Sequence, residues 1–248
     1  MSGICQVMVM AKSCRVALAQ IKISENPDTN LKKILSCIRK ASKAKADIIV
    51  FPETCIFLRS RQKVVGLKNH LHAIRSACKE YGIWCIVGSY QMKKGKRYNT
   101  TFLIDRSGKI VYTYDKVHLW TTEKGVSPGK RNRVVKTEFG KIGIICCWDF
   151  AFPEYIRKLS RAGAWIIFCP SYTIDYQKAP EVLEHIQLIR AFENSCYFVF
   201  ADAFSQETYS RSCMAYPVKV IKEIRRREGL LVGYLDPSKM PVFTPVNR

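Results

Sequence analysis

The chain has 248 residues, of which 48% are apolar and 25% are charged, a balance that excludes disordered, collagen-like and low-complexity proteins. Its 41 Lys and Arg residues against 20 Asp and Glu residues give a formal charge of +21. Anionic substrates, acidic lipids and nucleic acids are therefore candidate partners. The longest apolar run, residues 164–170, is far shorter than the about 18 residues that a membrane span needs. We expect no membrane insertion, and no nucleic-acid partner, because no basic run is interleaved with aromatic side chains.

The eleven cysteines contain no C-x-x-C pair, which argues against a zinc ribbon or a thioredoxin-type motif. Several lie inside apolar runs, as Cys85 and Cys169 do, a pattern typical of reduced, buried thiols in a cytoplasmic protein. The first residues lack the basic leading segment of a secretory signal. We therefore predict a cytoplasmic protein with an N-terminal extension over residues 1–14 and a single domain over residues 15–248, since no composition break marks a boundary.

Strands and helices alternate in the first half of the chain. Asn26 can cap a helix that begins at Pro27, and apolar residues recur after it at helical spacing, giving the helix one buried face. A second helix is predicted over residues 65–81. The sequence predicts strands over residues 15–22, 47–51 and 83–89, and then a hairpin of residues 98–105 and 109–115 around the turn Arg106-Ser107-Gly108.

In the second half of the chain, short apolar segments predict further strands. A helix is predicted to begin near Phe152-Pro153, and another spans residues 181–194. Alternation of strands and helices, mixed with hairpins, predicts an α/β layered fold with a mixed sheet or two packed sheets. The predicted strands cover residues 133–137, 142–147, 164–169, 196–201, 213–221 and 230–235.

Three reactive side chains follow predicted strands: Glu53, Lys116 and Cys147. Side chains at strand ends point into crevices while the backbone stays rigid, so they are frequent in functional sites. A nucleophilic thiol needs a base, a cation or a helix N-terminus nearby, and Cys147 could have all three. Each residue alone also has an ordinary structural explanation, such as a core thiol or a surface charge. The residues by themselves leave open whether Cys146 or Cys147 reacts, and whether His118 forms a Cys-His pair.

Three motifs taken in order give a more specific indication. They are F-P-E at Phe51–Glu53, Y-D-K-V-H-L-W at Tyr114–Trp120 and C-C-W-D-F-A-F-P-E at Cys146–Glu154. With these motifs the chain resembles the nitrilase superfamily of carbon–nitrogen hydrolases, from about Arg15 to Asp236. The resemblance implies a four-layer α-β-β-α sandwich, commonly paired into homodimers through the helices that flank the sheets.

The resemblance also implies a Glu-Lys-Cys triad. Glu53 matches the general base of the family and Lys116 its catalytic lysine. The family nucleophile directly precedes an aromatic-Asp pair, and this selects Cys147 over Cys146. Glu123 best matches a supporting glutamate. Two further positions complete the implied site, the backbone N–H of Trp148 as an oxyanion donor and Tyr172 as a substrate contact.

The function implied is that of a thiol-dependent hydrolase that cleaves a non-peptide C–N bond through a Cys thioester, without metal or organic cofactor. The expected substrate is a small linear amide or an N-carbamoyl compound, and the positive field favours an anionic one. Departures from the family pattern, such as Ala151 where a basic residue is common, bear on the substrate. A binding or scaffold protein that keeps the fold without turnover is the alternative.

Overall fold

The computed structural model describes residues 11–241, and within them the strands form two six-stranded sheets. The first sheet has the strand order β12-β1-β2-β3-β4-β5 and the second has the order β11-β10-β9-β8-β7-β6. The bounds are β1 Cys14–Gln20, β2 Ile48–Val50, β3 Trp84–Lys93, β4 Lys96–Ile104, β5 Ile110–Asp115, β6 Val135–Thr137, β7 Gly140–Ile144, β8 Ile166–Pro170, β9 Tyr197–Ala201, β10 Arg211–Tyr216, β11 Lys219–Arg225 and β12 Gly229–Leu235.

Both sheets have parallel strands at the centre and antiparallel strands at the edges. In the first sheet β1, β2 and β3 are parallel, and in the second sheet β7, β8 and β9 are parallel. Residues that follow the carboxyl ends of central parallel strands lie at one edge of each sheet, which is where open α/β sheets place binding sites.

Four helices pack on the outer faces of the sheets within the described residues: α1 Pro27–Lys43, α2 Leu67–Tyr81, α3 Pro153–Arg161 and α4 Pro180–Asn194. The predicted cap of α1 is confirmed, since the side chain of Asn26 accepts hydrogen bonds from the N–H groups of Asp28 and Thr29. The buried residues of α1 include Ile34 and Ile38, as its apolar spacing predicts.

Three apolar clusters fill the spaces between the layers. One cluster joins residues of both sheets, such as Leu18 and Phe168. The second packs α1 and α2 against the first sheet, and the third packs α3 and α4 against the second sheet. Three packed interfaces make four layers in the order α-β-β-α, so the predicted architecture is confirmed.

The structure differs from the predicted elements in two hairpins. The predicted strand over residues 213–221 is two antiparallel strands, β10 and β11, because the chain turns between Tyr216 and Lys219. Likewise β3 runs on to Lys93 and pairs directly with β4, a hairpin that the sequence did not indicate. Both missed regions contain several polar residues. A strand is predicted from its apolar residues, so such regions give only a weak indication of a strand.

Residues 1–10 of the predicted N-terminal extension lie outside the described residues. Ala11 contacts the apolar cluster between the sheets, and the strand β1 already begins at Cys14. Among the described helices, none combines the length and the apolar character that crossing a bilayer would require.

Candidate active site

Glu53, Lys116 and Cys147 meet at the wall of one cavity of about 1170 Å³. Glu53 follows β2, Lys116 follows β5 and Cys147 follows β7, so both sheets contribute. The three residues are only 5%, 1% and 8% exposed. The structure therefore brings together the three residues that the sequence singled out, with buried side chains at a cavity large enough for a small molecule.

Close backbone packing positions Glu53. Gly88 lies in β3 behind it, and a Cβ atom there would come within 2.8 Å of the Thr54 nitrogen. The Glu53 N–H donates to the Ser171 carbonyl at 3.3 Å, and the Ile56 N–H donates to the Gly88 carbonyl at 3.1 Å. The loop after β2 is thus held against β3 and the end of β8, which fixes the direction of the Glu53 side chain.

Lys116 lies between two carboxylates. Its Nζ donates to Glu53 Oε1 at 2.8 Å and to Glu123 Oε2 at 2.7 Å. Burial lowers the pKa of Lys116, but the neighbouring Glu53, Cys147 and Glu123 raise it, and the net pKa lies well above its ordinary value. Lys116 is therefore a fixed ammonium group at neutral pH, suited to stabilise negative charge on a reacting oxygen.

Asn99 joins the two carboxylates from the other side. Its Nδ2 donates to Glu53 Oε1 and to Glu123 Oε1, each at 2.7 Å. The sequence analysis did not select Asn99 as a site residue. No signal in the sequence distinguishes it, because β4 also contains the polar neighbours Thr100 and Thr101.

Cys147 begins a 3₁₀ helix, Cys147–Ala151, in place of ending a strand. Its φ of 43° lies in the left-handed region, which costs energy for a residue with a Cβ and is frequent at functional sites. Its Sγ donates to the Tyr172 carbonyl at 3.8 Å. Burial and Glu53 raise the pKa of Cys147, Lys116 opposes them, and the net pKa lies well above its ordinary value. The resting thiol is therefore protonated and needs a base.

The two adjacent cysteines differ in their surroundings. Cys146 is fully buried, and its Sγ donates to Glu53 Oε1 at 3.3 Å. Cys147 lines the cavity, whereas Cys146 is not among the lining residues. The thiol that is hydrogen-bonded to the Glu53 carboxylate thus belongs to Cys146, and the thiol that faces the cavity belongs to Cys147.

Asp149 organises the turn that carries the cysteines. Its Oδ2 accepts from the Cys146 N–H at 2.9 Å and from the Tyr114 hydroxyl at 2.6 Å. Its Oδ1 is 2.7 Å from His118 Nδ1, and the His118 ring stacks on Phe152 with centroids 3.7 Å apart. His118 does not line the cavity. A Cys-His pair is therefore not formed, and His118 is part of the support for the turn.

The remaining predicted residues also lie at the cavity. Glu123 and Tyr172 line it, and Trp148 follows Cys147 at the start of the 3₁₀ helix, where N–H groups have no partner within the helix. Tyr172 also contributes through its backbone, because its N–H donates to Glu53 Oε2 at 3.1 Å and its carbonyl accepts from the Cys147 thiol. Over residues 11–241, no three His, Cys, Asp or Glu side chains are arranged to hold a metal ion.

Comparison with known proteins assigns the chain to a family. A family model described as carbon–nitrogen hydrolase matches residues 15–241. Among curated proteins, the chain is 27% identical over 228 residues to a deaminated glutathione amidase of Mus musculus, covering 83% of this chain and 70% of that protein. It is 24% identical to an omega-amidase of Saccharomyces cerevisiae over 267 residues, covering 95% and 91%.

Solved structures give the same fold. The chain superposes on an amidase from Nesterenkonia sp. with a TM-score of 0.83 and 23% identity, over 90% of each chain. At this identity the likeness concerns the fold, and it agrees with the two sheets and flanking helices described above.

Proposed function

The chain belongs to the carbon–nitrogen hydrolase family, and on this premise we propose that it is a thiol-dependent amidohydrolase with Glu53, Lys116 and Cys147 as its catalytic residues. Its substrate class is small linear amides or N-carbamoyl compounds. The observation that carries the proposal is the meeting of a carboxylate, an ammonium and a cavity-facing thiol on one cavity wall. A protonated thiol beside a buried carboxylate suits general-base catalysis.

In the first half of the reaction, Glu53 takes the proton from the Cys147 thiol as Sγ bonds to the carbonyl carbon. The electron pair of the C=O bond moves to oxygen, where the Lys116 ammonium and the Trp148 N–H stabilise it. Such donors contribute about 3–4 kcal/mol each to the transition state. Glu53 then gives its proton to the departing nitrogen, the C–N bond breaks, and a thioester remains on Cys147.

In the second half, Glu53 removes a proton from water as the water oxygen attacks the thioester carbon. The C–S bond breaks, the acid leaves, and the Cys147 sulfur recovers a proton from Glu53. Glu123 and Asn99 hold Lys116 and Glu53 in place through both halves, since each bonds to a catalytic group at 2.7 Å. The two half-reactions together consume one amide and one water and release one amine or ammonia and one acid.

The similar proteins support this proposal by their names. The Nesterenkonia protein is an amidase, and the mouse and yeast proteins are amidases or omega-amidases. One solved form of the Nesterenkonia amidase carries the acetamide moiety of fluoroacetamide covalently added at its active-site cysteine. That adduct retains the amide, so it is not the thioester itself, but it supports a nucleophilic role for the cysteine, the role proposed here for Cys147.

The test is amide hydrolysis by the native protein and by Cys147→Ala. We expect ammonia release from a panel of linear amides, and a loss of at least about 10⁴-fold in the variant, because a covalent intermediate cannot form. Cys37→Ala is the matched control, since Cys37 is a half-buried thiol of α1. Turnover that survives Cys147→Ala contradicts the proposal. Native protein that forms no acyl adduct by intact mass and releases no ammonia indicates the non-catalytic scaffold.

We also propose that the protein pairs into homodimers through its outer helices. The side chains of Ile189 and Phe192 on α4 are 47% and 55% exposed, and apolar groups exposed on an outer helix favour contact with a partner. Light scattering on the purified protein tests this, and a monomer at micromolar concentration contradicts it.

A further inference from the structure

A fully buried carboxylate lies outside the proposed catalytic residues, at the carboxyl end of β9. Asp202 directly follows this strand, and its side chain does not line the cavity. Its two oxygens accept from three backbone N–H groups and one hydroxyl, and within residues 11–241 it forms no ion pair. Burying a carboxylate without a cation is costly, and groups of this kind are frequent near functional sites.

The carboxylate of Asp202 holds one residue of the loop after β8 at two points. Thr173 donates from its N–H to Asp202 Oδ1 at 3.1 Å and from its hydroxyl to Asp202 Oδ2 at 2.5 Å. The other two donors are the Ala203 N–H at 3.0 Å and the Arg211 N–H at 3.4 Å. Asp202 is itself anchored, because its N–H donates to Ser212 Oγ at 2.9 Å. Thr173 is therefore fixed relative to β9 and β10.

The peptide group that Asp202 holds also contacts the proposed nucleophile. In a trans peptide the N–H and the carbonyl point in opposite directions. The peptide between Tyr172 and Thr173 directs its N–H to Asp202, and its carbonyl accepts from Cys147 Sγ at 3.8 Å. The preceding N–H, that of Tyr172, donates to Glu53 Oε2 at 3.1 Å. Hydrogen bonds in such a chain polarise one another, so a negative charge at the N–H makes the carbonyl a stronger acceptor.

Asp202 is ionised at neutral pH. Burial raises its pKa to about 6, and the hydrogen bonds from Thr173, Arg211 and Ala203 oppose this shift. The guanidinium of Arg211 does not compensate the charge, because it pairs with Glu223 at 3.0 Å. An ionised carboxylate holds the two donors of Thr173 more firmly than a neutral amide of the same size, because charge-assisted hydrogen bonds are stronger.

From these contacts we propose that Asp202 is a positioning residue of the active site, which orients the Cys147 thiol and the Glu53 carboxylate through the Tyr172–Thr173 peptide. This role rests on the proposed amide hydrolysis, and it adds a residue that belongs neither to the three motifs nor to the cavity lining. Because Asp202 does not reach the cavity, its loss should slow the chemical step and leave substrate binding nearly unchanged.

The first measurement is alkylation of Cys147 by iodoacetamide at pH 7, followed by intact mass and peptide mapping. Alkylation of the protonated thiol needs a well-placed base, but it does not need cleavage of a C–N bond. Asp202→Asn keeps the size of the side chain and removes its charge. We expect it to slow alkylation about tenfold, because a small displacement of reacting groups is costly. On a linear amide it should lower kcat about 30-fold and change KM less than about twofold.

Matched variants separate positioning from general stability. The Asp105 carboxylate also accepts from two N–H groups and one hydroxyl, in the turn after β4 and away from the cavity. Asp105→Asn should therefore keep alkylation and kcat within about twofold. Thr173→Val removes one of the two bonds to Asp202 and should slow alkylation about threefold, whereas Thr173→Ser keeps the hydroxyl and should stay closer to the native rate. The two Thr173 variants decide the matter if Asp202→Asn does not fold by circular dichroism.

Native alkylation and native kcat in a folded Asp202→Asn protein would overturn the positioning role, as would a raised KM with unchanged kcat. Equal alkylation rates of Thr173→Val and Thr173→Ser, or a native Cys147 that resists iodoacetamide, would overturn it as well. The proposed hydrolysis is judged separately, by ammonia release from linear amides with the native protein. Alkylation that depends on Asp202 without any ammonia release would support the positioning role and contradict the hydrolysis, so the two proposals can fail independently.

Discussion

Two clusters of charged side chains in this protein differ in their ratio of acidic to basic groups. The catalytic cluster of Glu53, Lys116 and Glu123 has two carboxylates for one ammonium, and its side chains are at most 7% exposed. The edge cluster of Glu184, Arg211, Glu223 and Arg225, which joins α4 to β10 and β11, has two carboxylates for two guanidinium groups. Three of its four side chains are 31% to 39% exposed.

This difference in charge ratio and burial distinguishes a cluster that stabilises the fold from a cluster suited to a reaction. In the edge cluster every charge has an opposite partner, and the hydrogen bond from Arg225 lowers the pKa of Glu184 to about 2. Such a cluster stabilises the fold. In the catalytic cluster an excess carboxylate is kept away from water, a costly arrangement that supplies a base for a reaction. The ratio of acidic to basic groups and their burial thus support the proposal that the catalytic cluster, and not the edge cluster, acts on a substrate.

The largest expected effect comes from removing the one cation of the catalytic cluster. Lys116→Met should lower kcat by about 10³-fold or more, because the oxyanion loses its ammonium and the two carboxylates face each other. Steady-state kinetics on a linear amide measures this. Lys93→Met is the control, since Lys93 pairs with Asp115 at 2.6 Å on the surface and should leave kcat within about twofold. Equal losses in both variants would contradict the assignment of Lys116.

The next effect concerns stability at the edge cluster. Glu184→Gln should lower the free energy of unfolding at pH 7 by about 1–3 kcal/mol, a range reduced for the partial exposure of the side chain. Because the folded pKa of Glu184 is depressed from 4.5 to about 2, its contribution is present above pH 4.5 and is lost as the pH falls toward 2. Urea unfolding of both proteins should therefore show a difference that shrinks over this range.

Glu181→Gln provides the control for this experiment, as Glu181 is exposed on the same helix and makes no ion pair within the described residues. Hydrolysis by Glu184→Gln should stay within about twofold of the native rate. A difference in stability that grows in acid would reverse the expected sign and contradict the role of Glu184.

A smaller effect is expected from the amide that joins the two catalytic carboxylates. Asn99→Ala should lower kcat about tenfold, with KM changed less than twofold, because Asn99 positions Glu53 and Glu123 and does not line the cavity. Thr101→Ala on the same strand is the matched control, since the buried Thr101 hydroxyl has no hydrogen-bond partner. A rise in KM with unchanged kcat would show that Asn99 instead binds substrate.

The smallest effect is expected at the neighbouring thiol. Cys146→Ala should change kcat by less than about threefold, because the Sγ contact with Glu53 at 3.3 Å is a weak hydrogen bond. Intact-mass analysis should still find one acyl adduct per chain. An inactive Cys146→Ala protein beside an active Cys147→Ala protein would exchange the roles of the two residues.

The sequence predicted much of the fold from local patterns. Helix α1 and its Asn26 cap follow from apolar spacing and a polar N-terminal residue, both of which act within a few residues. The hairpin at Gly108 is likewise local, since this residue has a φ of 78° and its N–H bonds to the Asp105 carbonyl. The hairpin between β3 and β4 was missed, because Lys93 and Lys96 carry no apolar signal.

The sequence by itself determined most of the order of the elements and pointed to Glu53, Lys116 and Cys147 as candidate reactive residues, because periodicity and motifs are properties of neighbouring positions. Only the tertiary structure decided that Cys147 faces the cavity while Cys146 contacts Glu53, and that Asn99 bridges two carboxylates. These contacts join atoms that are 46 and 93 positions apart in the chain. The Asn99 contact depends on how β4 and the loop after β2 lie within the first sheet, and the Cys146 contact depends on how the two sheets pack face to face. No local pattern of residues encodes either arrangement.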